Sequence, residues 1–396
     1  MKHDTQVHLL ERLLSHSAGA APFGDGVFRV PVRNYYDSGR LAREREVLFR
    51  RYPIVLGHAS HLAEAGDYLT DDSLGIPIVA VRDREGTLRA FLNVCRHRGT
   101  RLVAESSGHG RKAFVCPYHA WTYELNGRLR HIPKREAFPG VEPEERGLVA
   151  LPLVERHGLL WVHPTPGAPL DPDDYLGPFA EELSSFHLRD HCIYRAATAR
   201  RRTNWKLIID AFLEGYHVSA LHRLTLARFF VDAIAFHDVA YPNARFVGSR
   251  TNLAEIRDLD RSAWDIRKSA TVFYFVFPNT IVLFHPDYVS LLRVFPEDPD
   301  HCIWSHEMLI PRESATEAGE AHWRKSYELI EETVFQKEDL TMAESIQAGL
   351  RSGANEALTF GRLESLVGHF HAAIEAELSR GGEDRGAAAR GDAPCS

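Results

Sequence analysis

Cysteine is scarce in this chain, with five in 396 residues. That is no disulfide framework, and a chain this long can bury a core without one. Long apolar runs are missing too: none approaches the ~20 residues that a membrane-crossing helix needs. The opening Met1-Lys-His-Asp-Thr-Gln6 leads into a mixed polar segment with no apolar core of a secretory signal and no small-residue cleavage site. A cytoplasmic location with reduced thiols and no membrane partner is the expectation. Positive charge does not dominate, since 47 Lys and Arg face 54 Asp and Glu for a net charge of −7. No basic stripe stands out, so no nucleic-acid partner is expected. The one basic cluster, Arg195–Arg202, reads as surface. No Gly-x-Gly-x-x-Gly follows a strand-like run, so neither nicotinamide nor flavin is expected on this chain. No internal repeat is seen.

The texture changes along the chain. Residues 1–51 show helical spacing, as in His8-Leu-Leu-Glu-Arg-Leu-Leu14. Residues 52–164 are short apolar runs punctuated by Gly, Asp and Asn, with hairpin-type turns at Asp83-Arg-Glu-Gly86 and Leu125-Asn-Gly-Arg128. That segment reads as a small, mostly β domain. A Pro/Asp-rich connector, Pro164–Pro178, precedes a second domain over 165–380. There the spacing predicts a strand near Tyr194–Arg202, a long helix from about Thr203 and a four-strand meander between Thr271 and Ile310. Helices over about Ser314–Ala348, broken, and Glu364–Leu378 follow. The tail, 381–396, is rich in Gly, Ala and charge and reads as disordered.

Two mixed pairs, Cys95-Arg-His97 and Cys116-Pro-Tyr-His119, lie within the β segment. Each offers one thiolate and one imidazole. A Rieske [2Fe–2S] cluster needs two Cys on one iron and two His on the other. A zinc site is the competing reading, although zinc knuckles usually pair Cys with Cys and His with His. Residues 98–115 are long enough to return the second pair opposite the first.

A second constellation lies in Asn204–His222. Asp210, Glu214 and His217 are spaced i, i+4, i+7, one face of a helix. His222 falls ~140° further round, so the helix is expected to end or bulge between the two histidines. Two histidines and one carboxylate make the facial triad of a non-haem Fe(II) oxygenase. Asp339 is the leading candidate for the carboxylate, with Glu338, Asp287 and Glu344 as competitors.

With these motifs the chain resembles the Rieske non-haem iron oxygenases, specifically their catalytic α subunits. The resemblance runs from about residue 30 to 375 and rests on Cys95-Arg-His97-Arg-Gly, Cys116-Pro-Tyr-His119, Asn204-Trp-Lys, Glu214-Gly-Tyr-His217-Val-Ser-Ala-Leu-His222 and Glu338-Asp339 with Gln347 behind. It implies an α+β architecture, a mostly-β Rieske domain set into a helix-grip catalytic domain with an antiparallel sheet. It implies a cluster held by Cys95, His97, Cys116 and His119, and a mononuclear Fe(II) held by His217, His222 and Asp339. Glu214 matches the carboxylate that links the cluster of one subunit to the iron of the next in a homotrimer. Many ring-hydroxylating members have Asp there, and Glu is similar to the choline- and betaine-oxidising branch. Asp210 matches a position near the iron where other members carry Asn.

The activity this implies is that of a terminal oxygenase. It would use O₂ and electrons from NAD(P)H, delivered by a separate reductase or ferredoxin, to hydroxylate a small organic substrate. Phe229, Phe230, Phe273, Phe275 and Phe277 suit an aromatic substrate, and equally a caged trimethylammonium group. An aromatic substrate is the first expectation and a quaternary ammonium compound the alternative. A Rieske electron carrier without oxygenase chemistry is the reading from a different class.

Overall fold

The computed structural model describes residues 1–19, 24 and 26–388, the last eight by backbone alone. The chain forms two compact units. One comprises 50–175 and 187–192, and the other is assembled from the segments on either side of it, 1–49, 176–186 and the chain from 193 onward. The first is thus an insertion in the second.

The inserted unit is made of short antiparallel strands. A five-stranded sheet runs, in spatial order, Ala150–Leu151, Leu88–Leu92, Ile78–Arg82, Tyr68–Asp71, Ser107–Gly108. The turn at its centre is the one expected: Asp83 caps it by accepting from the N–H groups of Glu85 and Thr87, at 3.1 and 2.8 Å. A three-stranded sheet, Phe114–Val115, Thr122–Tyr123, Leu129–His131, carries the other expected turn, Asn126-Gly127, with Gly127 at φ +88°. A Cβ at Gly127 would come within 2.4 Å of the Phe91 ring, so the turn needs glycine for space as well as for backbone. Between these two sheets lies a core that includes Val79, Phe91, Phe114, Tyr123 and Leu125, and both cysteines of the mixed pairs belong to it.

The larger unit is built on a seven-stranded sheet in the order His191–Arg201, His301–Pro311, Val289–Asp298, Thr280–Phe284, Ala270–Val276, Asn243–Arg250, Phe230–Ala240. Strands from Phe230 to Pro311 pair antiparallel with their neighbours in sequence. Helices pack on one face. Phe212 of the helix Trp205–Phe212 stacks on Trp304 of the sheet at 5.5 Å, and Phe335 meets both at 5.3 and 5.5 Å. Phe370 of the last helix, Ser365–Ala388, meets Phe275 and Trp205 at 5.5 and 5.7 Å. This is the expected helix-and-sheet arrangement, with three more strands than the meander contained.

Three elements differ from the sequence reading. The helix beginning near Thr203 stops at Phe212. The region read as one broken helix is Glu320–Tyr327, then a wide π-type helix, Glu328–Asp339, then Leu340–Leu350. In and just beyond the wide stretch the hydroxyls of Thr333 and Thr341 donate to carbonyls five residues back, at 3.2 and 3.1 Å. The tail read as disordered from 381 begins as a continuation of the last helix to Ala388, and 389–396 lie outside the described residues. Among the described residues no helix is long and apolar enough to cross a membrane.

Candidate metal centres and pocket

The two Cys–His loops fold alike. In each, the cysteine N–H donates to the carbonyl five residues on, Thr100 or Trp121, at 2.8 and 2.9 Å. The cysteine carbonyl accepts from the N–H four residues on, Gly99 or Ala120, both at 2.9 Å. The closing residue is left-handed in both, φ +80° at Gly99 and +54° at Ala120. Glycine adopts that backbone freely, whereas alanine pays about 1–2 kcal/mol for it. The sequence showed the first loop's glycine but gave no sign that Ala120 repeats the turn.

This fold brings the four predicted residues together. The rings of His97 and His119 meet edge to face at 4.8 Å, and Trp121 stacks flat on His97. Nδ1 of both imidazoles is buried without a hydrogen-bond partner, a state that polar atoms rarely keep unless a metal takes the lone pair. The cysteines are also buried. Tyr123 adds a contact that spacing could not show: its hydroxyl accepts from Arg96 N–H at 2.9 Å and lies 3.3 Å from Cys95 Sγ, so its proton is free to point at sulfur. Burial pushes the Cys116 thiol up, but the N–H groups of His119 and Tyr118 bring it below its ordinary value.

The donor set fits a two-iron cluster better than one zinc ion. A single tetrahedral ion has bonds of ~2.0–2.3 Å, which gathers its donors tightly. Among the described residues the groups of metal-capable donors within 4.8 Å of one another are His217/His222/Asp339 and the exposed Glu297/Asp298/His301. The Cys–His quartet is spread wider, as cysteines at one end of a cluster and histidines at the other require.

The second centre is assembled differently from the expectation. Asp210 lies on the helix Trp205–Phe212, but Glu214 and His217 follow its end. The Glu214 carboxylate accepts from the N–H groups of Tyr216 and His217, a local turn that competes with further helix. His217 and His222 then flank a single turn, Val218–Leu221, which removes the angular mismatch of a continuous helix. Their Nε2 atoms lie 3.6 and 3.1 Å from Asp339 Oδ1. That oxygen is buried and makes no hydrogen bond, so the three donors face a common point rather than one another. Their donor chemistry fits a non-haem ferrous ion.

The outward nitrogens are also fixed. His217 Nδ1 bonds to Glu214, and His222 Nδ1 lies 2.7 Å from Glu338 Oε2, which also accepts from Thr225 at 2.9 Å. Each imidazole therefore directs its N–H outward and leaves Nε2 bare inward. Burial opposes protonation of both rings, yet the carboxylates of Glu214, Asp339 and Glu338 raise both above the ordinary histidine value. A cation would use the same charge and displace those protons. Of the competitors for the carboxylate position, Asp287 pairs with His322 and Glu344 with Arg201. Asp210 lines a cavity with Glu214, His217 and Asp339, but its oxygens are taken by Tyr35 at 2.7 Å and His371 at 2.9 Å.

A cavity of ≈ 220 Å³ opens beside His217, His222 and Asp339. Six phenylalanines line it: Phe212, Phe230, Phe236, Phe246, Phe273 and Phe335. Two of these, Phe230 and Phe273, were candidates from sequence, while Phe275 and Phe277 are fully buried in the core. His285, which the sequence did not single out, also lines it.

Comparison with known proteins agrees with this geometry. Residues 52–148 match the Rieske [2Fe-2S] domain, and residues 188–380 match the ring hydroxylating alpha subunit catalytic domain. The chain is 29% identical to the carnitine monooxygenase oxygenase subunit of Escherichia coli (strain K12), over 82% of this chain and 84% of that one. It is 31% identical to the biphenyl 2,3-dioxygenase subunit alpha of Rhodococcus jostii (strain RHA1), over 50% of this chain and 44% of that one. Among solved structures, a quaternary ammonium Rieske monooxygenase described for carnitine oxidation and inter-subunit electron transfer superposes with a TM-score of 0.76 at 25% identity, covering 91% of this chain and 97% of that one. A Rieske domain inserted in a ring-hydroxylating alpha-subunit catalytic domain, each with its donor set gathered, makes this chain a member of the Rieske non-haem iron oxygenases.

Proposed function

We propose that this chain is the oxygenase component of a system that hydroxylates and thereby demethylates or cleaves a quaternary ammonium compound. The observation that carries the reading is the extent of similarity. Alignment to a carnitine monooxygenase runs through 82% of this chain, while alignment to a biphenyl dioxygenase stops at half. The aromatic substrate expected first from the sequence is therefore the less supported of the two. The cavity suits a cationic head, because phenylalanine faces attract a quaternary ammonium by ~0.5–2 kcal/mol each when water is excluded.

The geometry supports the following residue roles. Cys95, Cys116, His97 and His119 hold the cluster, and His217, His222 and Asp339 hold the iron. Bound there, the cluster supplies single electrons received from a separate reductase or ferredoxin, and the iron supplies O₂ activation. Glu214 and Glu338 keep the proton of each iron-ligating imidazole on Nδ1. Glu214 also lines the cavity beside Asp210 and, by the resemblance to the family, would link this site to the cluster of a neighbouring subunit in a homotrimer. Asp210, braced by Tyr35 and His371, positions that wall. The phenylalanines exclude water from around the substrate.

The test is a single turnover of chemically reduced holoprotein mixed with O₂. L-carnitine, glycine betaine and biphenyl are supplied separately and products are read by mass spectrometry. An oxidised product from a quaternary amine supports the reading. A product from biphenyl alone overturns it in favour of aromatic hydroxylation. Cluster reoxidation without any product would favour an electron carrier.

A further inference from the structure

Beneath the sheet wall of the cavity runs a line of buried polar groups that the metal chemistry does not use. It begins at His285, which lines the cavity. His285 Nε2 lies 3.2 Å from Ser290 Oγ, and that oxygen lies 3.0 Å from His306 Nε2. His306 Nδ1 is 2.8 Å from Glu331 Oε2, and the other Glu331 oxygen accepts from Gln336 at 2.6 Å. Ser290 and His306 are 0% exposed and Glu331 2%, so bulk water does not compete along the line. Apolar side chains would fill these positions without the desolvation cost, so a polar line here needs a purpose.

The line holds His285 in place from its far end. Burial pushes Glu331 up, but hydrogen bonds from His306 and Gln336 bring it below its ordinary value and keep it ionised. An ionised carboxylate accepts only, so it takes the Nδ1 proton of His306. His306 Nε2 is then turned to Ser290 Oγ, and Ser290 Oγ in turn holds His285 Nε2. Burial, with His306, Arg250 and Arg267 nearby, holds His285 well below the ordinary histidine value, hence neutral. With Nε2 held by Ser290, Nδ1 is the ring nitrogen left to bond a substrate group.

We propose that His285, oriented through Ser290, His306 and Glu331, presents a hydrogen-bonding ring nitrogen to the cavity and selects substrates that carry a hydroxyl group. His285 is then a specificity-determining residue, and the other three are positioning residues. The proposal rests on the reading above in taking this cavity as the substrate pocket, but not on the substrate being a quaternary amine. A site built to bond a hydroxyl discriminates strongly against the analogue that lacks it, because the buried polar group is left unpaired.

The experiment uses reduced holoenzyme in single turnovers, with product yield followed against substrate concentration. Two substrate pairs differ by one hydroxyl each: L-carnitine against γ-butyrobetaine, and benzyl alcohol against toluene. Wild type is expected to favour the hydroxyl-bearing member of whichever pair it converts by about tenfold or more in apparent affinity. His285→Phe keeps the ring that stacks on Tyr288 at 4.0 Å but has no hydrogen-bonding nitrogen, and Ser290→Ala cuts the line. Both are expected to bring the ratio to about one. A wild type without the preference, or variants that weaken both members alike and leave the ratio unchanged, would overturn the proposal while leaving the oxygenase reading intact. Preference within the benzyl pair only, lost in the variants, would support the role of His285 and overturn the quaternary ammonium reading. Conversion of neither pair would overturn the hydroxyl selection, and the turnover with glycine betaine would then decide the quaternary ammonium reading separately.

Discussion

At the iron donors, two adjacent carboxylates divide the work. Asp339 faces the Nε2 atoms of both histidines, while Glu338 turns to Nδ1 of His222. Asp339→Ala is expected to remove one iron per chain and leave the visible absorption of the cluster unchanged. Retention of all the iron would show that another residue is the third ligand. Glu338→Gln is expected to keep the site but weaken ferrous-iron binding by about 10–100-fold, as loss of a carboxylate behind a metal-bound histidine does. Iron titration of protein with an intact cluster reads this directly. His285 predicts a pH effect on stability. Its folded pKa lies well below the ordinary 6.5, so below pH 6.5 the unfolded chain takes up a proton that the fold refuses. That contribution to stability is complete above pH 6.5 and is lost as pH falls toward the folded value, by up to about 1.4 kcal/mol per pH unit. Unfolding midpoints measured on either side of pH 6.5 should fall more steeply for wild type than for His285→Phe. Equal slopes would mean that His285 is not held neutral.

At the scale of elements, the helix Trp205–Phe212 is pinned by a buried ion pair. Lys206 Nζ lies 2.7 and 2.9 Å from the two oxygens of Glu44, which also accepts from Trp205 at 3.2 Å. Both charged side chains are almost fully buried, and burial lowers the Lys206 pKa against the pull of Glu44. Lys206→Met leaves Glu44 paired with Arg40 alone, at 2.8 Å, and should cost less in denaturant unfolding than the about 3–5 kcal/mol of a fully uncompensated buried charge, whereas adding Glu44→Leu should recover most of the loss. A single variant as stable as wild type would show that the pair contributes nothing. This helix also marks how far the sequence could be read. Its start was legible, because Asn204 caps it through Lys206 N–H at 3.0 Å and apolar residues follow. Its end was placed too late: Gly215 is a stop signal, and the Glu214 side chain, by capturing two backbone N–H groups, ends the helix before His217. The Cys–His loops were legible because each is a local five-residue turn whose spacing is the signal. The strands Phe230–Ala240 and Asn243–Arg250 were not. Arg245 is buried between Glu182 and Asp238, at 2.5 and 2.6 Å, and charges on a buried strand imitate a loop. The π-type stretch was hidden for a related reason: its repeat departs from the 3.6-residue spacing by which helices are recognised.

At the scale of the whole molecule, two metal centres reside in two separately packed units of one chain. If electrons pass between subunits, defects in different centres should complement. Chains carrying Cys95→Ser, which lose the cluster, and chains carrying Asp339→Ala, which lose the iron, should each be inactive alone and regain part of the turnover when co-expressed. No recovery in demonstrably mixed oligomers would confine electron transfer to a single chain. The larger unit is constrained in another way by the helix Glu328–Asp339. Glu331, near its start, anchors the polar line that ends at His285, and Asp339, its last residue, faces the iron-binding histidines. One rod thus serves as a keel for both recognition and oxygen chemistry. A substitution that tilts it to admit a bulkier substrate also displaces the carboxylate, so new substrate preferences should arise by change in the strand and loop walls of the cavity, with this helix left in place.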